Sequence, residues 1–106
     1  MEITFEKQYL EDLYFNGSSN DKKHRYQPQV VKRYIRVINI LRTASRVEDL
    51  FPVNSLNYEV LKGDKAGVES VRVGDQYRIE FKTNRVVNET VVTICNILEL
   101  SNHYSR

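Results

Sequence analysis

Apolar positions along the chain change period near its middle. Val30, Tyr34, Val37, Leu41 and Ala44 recur at alternating steps of four and three, and Val31, Ile35 and Ile38 widen the stripe, which predicts a long helix over residues 28–46. Pro28 suits its first turn, where a missing amide hydrogen costs nothing. Lys32, Arg36, Asn39, Thr43 and Arg46 follow the same steps on the other side and form a basic ridge. Before this helix, "EITF" reads as a short strand, "KQYLEDLYF" as a helix stopped by Gly17, and "NGSSNDKKHRYQ" as a polar loop. After "EDLFPVNS" the period falls to two. "NYEVLK", "VESVRV", "YRIEFK" and "TVVTICNIL" read as strands separated by "GDKAG", "GDQ" and "TNRVVNE". Helices followed by strands predict an α+β domain, two N-terminal helices packed on a mostly antiparallel sheet. With no internal repeat in its 106 residues, the chain reads as a single domain, 1–106. A domain of this size buries roughly two-thirds of the surface its unfolded chain exposes.

The strand pair 68–82 can be registered from its own pattern. Val71 and Val73 share one face, and Arg72 shares the other with Ser70. A two-residue turn at Gly74-Asp75 would mix polar and apolar side chains on both faces. A three-residue loop, Gly74 to Gln76, pairs Val73 with Tyr77 and Arg72 with Arg78 and sorts the faces cleanly. Two guanidinium groups opposite each other repel unless an anion lies between them, so Arg72 and Arg78 are expected to line an anion site. The competing arrangement has Glu69, Glu80 or Asp75 neutralising them.

Charge sharpens this picture. The net charge is only +2, yet half of the chain's 16 Lys and Arg residues (Lys22, Lys23, Arg25, Lys32, Arg33, Arg36, Arg42 and Arg46) lie between residues 22 and 47, with no Asp or Glu among them. Such a block suits a polyanion, because each phosphate neutralised releases condensed counterions; its plainer alternative is a solvated helix face. Cys95, the lone cysteine, lies in "VVTICNIL" and reads as a small buried hydrophobe. "MEITFEK" has no basic stretch followed by an apolar one, and no run of 18 apolar residues occurs, so a cytoplasmic chain without membrane contact is expected. "GDKAG" lacks the ending of a phosphate-cradling loop, and two histidines with one cysteine offer no metal-ligand spacing, so neither metal nor cofactor is expected. The remaining chemistry sits in "ELSNHYSR", where Tyr104 follows His103. A histidine this close to a chain end is by default a solvated side chain.

"LKGDKAGVESVRVGDQYRIEF", preceded by the long helix and "ASRVEDLFP" and followed by a final strand and a His-Tyr end, resembles the HigB branch of the RelE/ParE superfamily of bacterial toxins. The likeness covers nearly the whole chain. It implies the RelE-like toxin fold, neutralisation by a HigA-like helix-turn-helix antitoxin, and metal-free cleavage of messenger RNA on the ribosome. By position, Arg72 and Arg78 match the family's strand arginines, Lys62 its loop-entry lysine, and His103 with Tyr104 its C-terminal pair. Many relatives carry histidine where this chain has Glu59, and many end in an Asp-Tyr-His order where it reads Asn102-His103-Tyr104.

Attack by a ribose 2′-hydroxyl needs a base, an acid for the leaving 5′-oxygen, and cations for the phosphorane. Arg72, Arg78 and Lys62 suit the cationic role, His103 the acid or base role with Glu59 as alternative base, and Tyr104 base stacking or help with a proton. Lys22, Lys23, Lys32, Arg33, Arg36 and Arg46 are expected to bind ribosomal RNA. The rival expectation is a ParE-like poison of a protein target such as gyrase, or a module that only engages its antitoxin.

Overall fold

The computed structural model describes residues 1–102. Its elements run β1 (Glu2–Phe5), α1 (Gln8–Asn16), α2 (Pro28–Thr43), β2 (Glu59–Val60), β3 (Glu69–Val73), β4 (Tyr77–Val87) and β5 (Val91–Asn102), with 3-10 turns at Val47–Leu50, Asn54–Leu56 and Gly63–Lys65. One five-stranded sheet has the order β1-β5-β4-β3-β2. β1 is parallel to β5, and the other pairings are antiparallel.

Side-chain alternation gives this sheet a covered and an open face. Val71, Val73, Ile79, Phe81, Cys95, Ile97 and Leu100 are buried with Leu10 and Leu13 of α1 and Val31, Tyr34, Val37, Ile38 and Leu41 of α2. This is the predicted stripe of the long helix meeting the predicted apolar face of the strands. Tyr34, fully buried, satisfies its hydroxyl by donating to the Leu10 carbonyl at 2.7 Å. Burial also pushes its phenol well above the ordinary tyrosine value.

Four predicted boundaries differ. α2 ends at Thr43 instead of residue 46, and Ala44 is extended (ψ 144°). The Asp49 carboxylate accepts the backbone N–H of Ser45 (2.9 Å) and Arg46 (3.3 Å), a local capture that competes with further helix. "NYEVLK" shrinks to Glu59–Val60, because Asn57 sits in the left-handed region (φ 43°) and Lys62 leads into a 3-10 turn. "TNRVVNE" is largely strand: Val86 pairs with Val92 and Val87 with Val91, and only residues 88–90 turn. β-branched residues opposite each other extend the ladder past the core. β5 likewise continues through Glu99–Asn102, with a bulge that shifts the register between Glu80 and Phe81.

Candidate active site

β3 and β4 meet in the expected register, with Val73 opposite Tyr77 and Arg72 opposite Arg78, joined by the loop Gly74 to Gln76. The two arginines therefore share the open face of the sheet. On β5, Ser101 stands opposite Arg78. The adjoining row crosses four strands as Glu59, Ser70, Glu80 and Glu99.

Glu80 organises this face, a role the strand pattern alone does not signal. Only 4% of it is exposed, and its carboxylate accepts hydrogen bonds from Lys65 Nζ (3.0 and 2.9 Å), Arg78 Nε (3.1 Å) and Ser101 Oγ (2.9 Å), with Arg78 Nη2 at 3.0 Å. Burial works against its charge. The Lys65 and Ser101 hydrogen bonds, the Lys65 charge and the Arg78 hydrogen bond outweigh it and hold the carboxyl below the ordinary glutamate value. Glu80 is thus ionised and spent on its neighbours, which makes it an anchor and a poor proton shuttle. Arg72 differs: its partner is Asp75 at 3.3 Å, a fully exposed carboxylate whose screened attraction is weak. Neutralisation by Glu80 and Asp75 and alignment of the two arginines therefore coexist, while Glu69 belongs to the opposite face, where it accepts from the Tyr58 hydroxyl (2.7 Å) and from Thr83.

Lys65 reaches Glu80 because the 62–67 segment folds over the sheet. Gly63 and Gly67 supply positive φ (70° and 88°), and backbone bonds from Ala66 to Gly63, Val68 to Lys65 and Leu61 to Val68 tie the loop. Lys62 is exposed, with no ion pair among the described residues. Glu59 is exposed on β2 and receives one long hydrogen bond, 3.3 Å from Asn57 Nδ2. It stands directly across from Ser70, so Arg72, two positions along β3, is its diagonal neighbour on the same face. Lys7 pairs with Glu99 at 2.7 Å at the edge of this row. His103 and Tyr104 lie outside the described residues, following Asn102, which pairs with Tyr77. From the covered side, Leu100 is gripped by two phenols: it donates its N–H to Tyr9 (3.2 Å) and accepts from Tyr26 (2.9 Å).

The basic block does not form one ridge. Arg33 and Arg36 line an open cleft of about 330 Å³ with Arg72, Gly74 and Asp75, and Arg33 packs so closely on Gly74 that a Cβ there would lie 2.9 Å from its Nη1. Lys32 and Arg25 face a second cleft below the 17–27 loop, which also carries Lys22 and Lys23. Arg42 instead covers the Tyr14 ring and donates to its hydroxyl at 3.0 Å. Arg46, expected on the ridge, is off it: the helix has already ended, and Arg46 pairs weakly with Asp49 (3.8 Å) and lines a cleft with Arg85 and Thr93.

The fold is that of the RelE-like toxins: the chain superposes on a YoeB/ParE toxin from Agrobacterium tumefaciens with a TM-score of 0.58 over 98% of this chain and all of that one, at 20% identity. A YoeB-YefM complex from Staphylococcus aureus gives 0.52 at 25% identity, covering 98% of both chains. Toxin HigB-1 of Vibrio cholerae is 32% identical over 83 residues, 77% of this chain and 83% of that protein. The family model for the RelE-like toxin of the type II toxin-antitoxin system HigB matches residues 3–94, and the chain belongs to this family of HigB-like toxins. Among the described residues no helix is long and apolar enough to cross a membrane.

Proposed function

We propose that this toxin is an endoribonuclease that cleaves messenger RNA on the ribosome by attack of the ribose 2′-hydroxyl, without a metal, and that a HigA-like helix-turn-helix antitoxin neutralises it in the cytoplasm. The observation that carries the reading is the cross-strand pair Arg72 and Arg78 on an open polar face, with Arg78 fixed by an ionised, buried Glu80. Cations held rigidly where a phosphorane gains charge are worth more than mobile ones, since nothing reorganises as the barrier is crossed. Arg72 contacts the scissile phosphate, and Arg78 supports it. Glu59, which among the described residues accepts one long hydrogen bond, keeps acceptor capacity on this face and serves as base for the 2′-hydroxyl. Lys62, exposed at the entry to the 62–67 loop, adds a further cation, His103 protonates the leaving oxygen, and Tyr104 stacks on a base. Arg33 and Arg36 continue the positive surface from Arg72 onto α2, with Lys32, Lys22 and Lys23 beyond, toward ribosomal RNA.

The test is cleavage of a ribosome-programmed message beside one carrying a single 2′-deoxy sugar at the cut site, together with a supercoiling assay. Products ending in a 2′,3′-cyclic phosphate or 3′-phosphate, with a 5′-hydroxyl downstream and an intact deoxy message, are expected. Normal cleavage of the deoxy message would sink the mechanism. Inhibited supercoiling without RNA cleavage would establish the protein-poisoning alternative.

A further inference from the structure

The geometry points to Lys65 as a further phosphate-contacting residue of this site, held in place by Glu80 acting as a positioning residue; the inference rests on the nuclease reading above. Two positive groups, the Lys65 ammonium and the Arg78 guanidinium, converge on one carboxylate, so the cluster keeps an excess positive charge. The carboxylate is buried and the cations are not: the Lys65 side chain is 49% exposed and that of Arg78 23%, against 5% for Glu80. Glu80 therefore takes the inward N–H groups and leaves others free. Lys65 spends two N–H groups on the two carboxylate oxygens and keeps its remaining donor. Arg78 spends its Nε–H on Glu80, with Nη2 beside the same oxygen at 3.0 Å, and keeps most of its fork. Burial fixes the carboxylate, and the backbone ties of the 62–67 loop fix the stem of Lys65, so both cations stand ready before any ligand arrives. An anion seated between Arg72 and Arg78 meets Lys65 from the side of the loop.

The experiment titrates the full-length chain with adenosine 3′-monophosphate, a product-like phosphate that cannot be cleaved further, and follows the Nε–H resonance of Arg78. Wild type and Lys65→Arg should shift saturably, and Lys65→Ala should need about tenfold more nucleotide, the loss expected of one charge-assisted hydrogen bond. Lys82→Ala, which removes an equal charge elsewhere on β4, should titrate like wild type. A Lys65→Ala curve superposable on wild type overturns the assignment, as does a loss shared equally by Lys82→Ala. For Glu80, the Gln variant should lower kcat on ribosome-bound message without raising KM, because the charge balance for binding improves while the cations lose their fixed aim. Equal damage to both constants in a folded Glu80→Gln protein overturns the positioning role. Failure of the nuclease reading is separate: a wild type that binds the nucleotide but cuts no message refutes that reading and leaves the phosphate site standing.

Discussion

The two faces of the sheet each bury a glutamate, and the two carboxylates are used differently. On the covered face, Glu69 is 8% exposed and answers to neutral donors, the Tyr58 and Thr83 hydroxyls and the Thr83 amide. Tyr58 in turn has its phenol pushed above the ordinary value, by burial first and then by its bond to Glu69. On the open face, Glu80 is buried to a similar degree but answers to two cations that reach solvent. The first arrangement closes on itself; the second leaves positive charge facing outward. Burial of a carboxylate is therefore no sign of a site on its own, and what separates the faces is whether its partners have donors left over.

The comparison breaks most visibly on the covered face. Phe81→Ala should cost ~3–5 kcal/mol of stability, as expected for truncating a fully buried aromatic, and urea unfolding will show it. On the open face the balance reverses. Arg72→Ala should lower cleavage of ribosome-bound message by ~10²- to 10³-fold while moving stability by less than ~1 kcal/mol, because its one ion pair among the described residues is with exposed Asp75. A stability loss as large as that of Phe81→Ala would mean the faces are not energetically distinct. Arg78→Ala should be less clean, since it strips a partner from buried Glu80.

A pH series sharpens the contrast. The Glu80 carboxyl is held below the ordinary value of 4.5, so its ionic contribution is fully present above that pH and is lost as pH falls through the lowered folded-state value. Glu80→Gln should cost ~1–3 kcal/mol at neutral pH and progressively less below pH 4.5 in parallel denaturation curves. A constant gap across that window would remove the electrostatic account. Smaller still, Arg36→Glu should weaken ribosome association more than Arg46→Glu, by several-fold at low salt and less at high salt, because Arg36 adjoins Arg72 and Arg46 does not. Cys95, whose thiol burial pushes up to about 12, should alkylate only on unfolding, a convenient probe of the covered face.

Much of this was legible in the sequence because alternation is a strong constraint. Face sorting alone set Arg72 opposite Arg78, and the stripe on α2 identified the helix that covers Val71 and Ile79. Boundaries were less legible where a single side chain decided them, as Asp49 did for the end of α2. The site was legible only in part. Glu80 was legible only as one of three carboxylates able to neutralise the arginines, since nothing local announces that a lysine fifteen positions earlier folds back onto it. Lys65 was missed for the same reason: in "LKGDKAG" both lysines look alike, and only the 3-10 turn after Gly63 aims the second over the sheet. Arg33 joins Arg72 through the tight Gly74 contact, again a tertiary event.

β5 lies between β1 and β4, and its pairing with β1 sets Glu2 beside Ile94 and Phe5 beside Ile97. The first strand thus waits for partners that the chain supplies some ninety residues later, and the strand that joins it to the rest of the sheet comes last in the chain. Contacts so distant in sequence must be closed against loop entropy before they contribute, which slows folding and makes it nearly all-or-none. Until residues 91–102 are available, Ser101 is missing and Glu80 has no floor beneath it. A nascent or truncated chain therefore carries the arginines without the scaffold that aims them, and the order of synthesis itself delays the appearance of an assembled site.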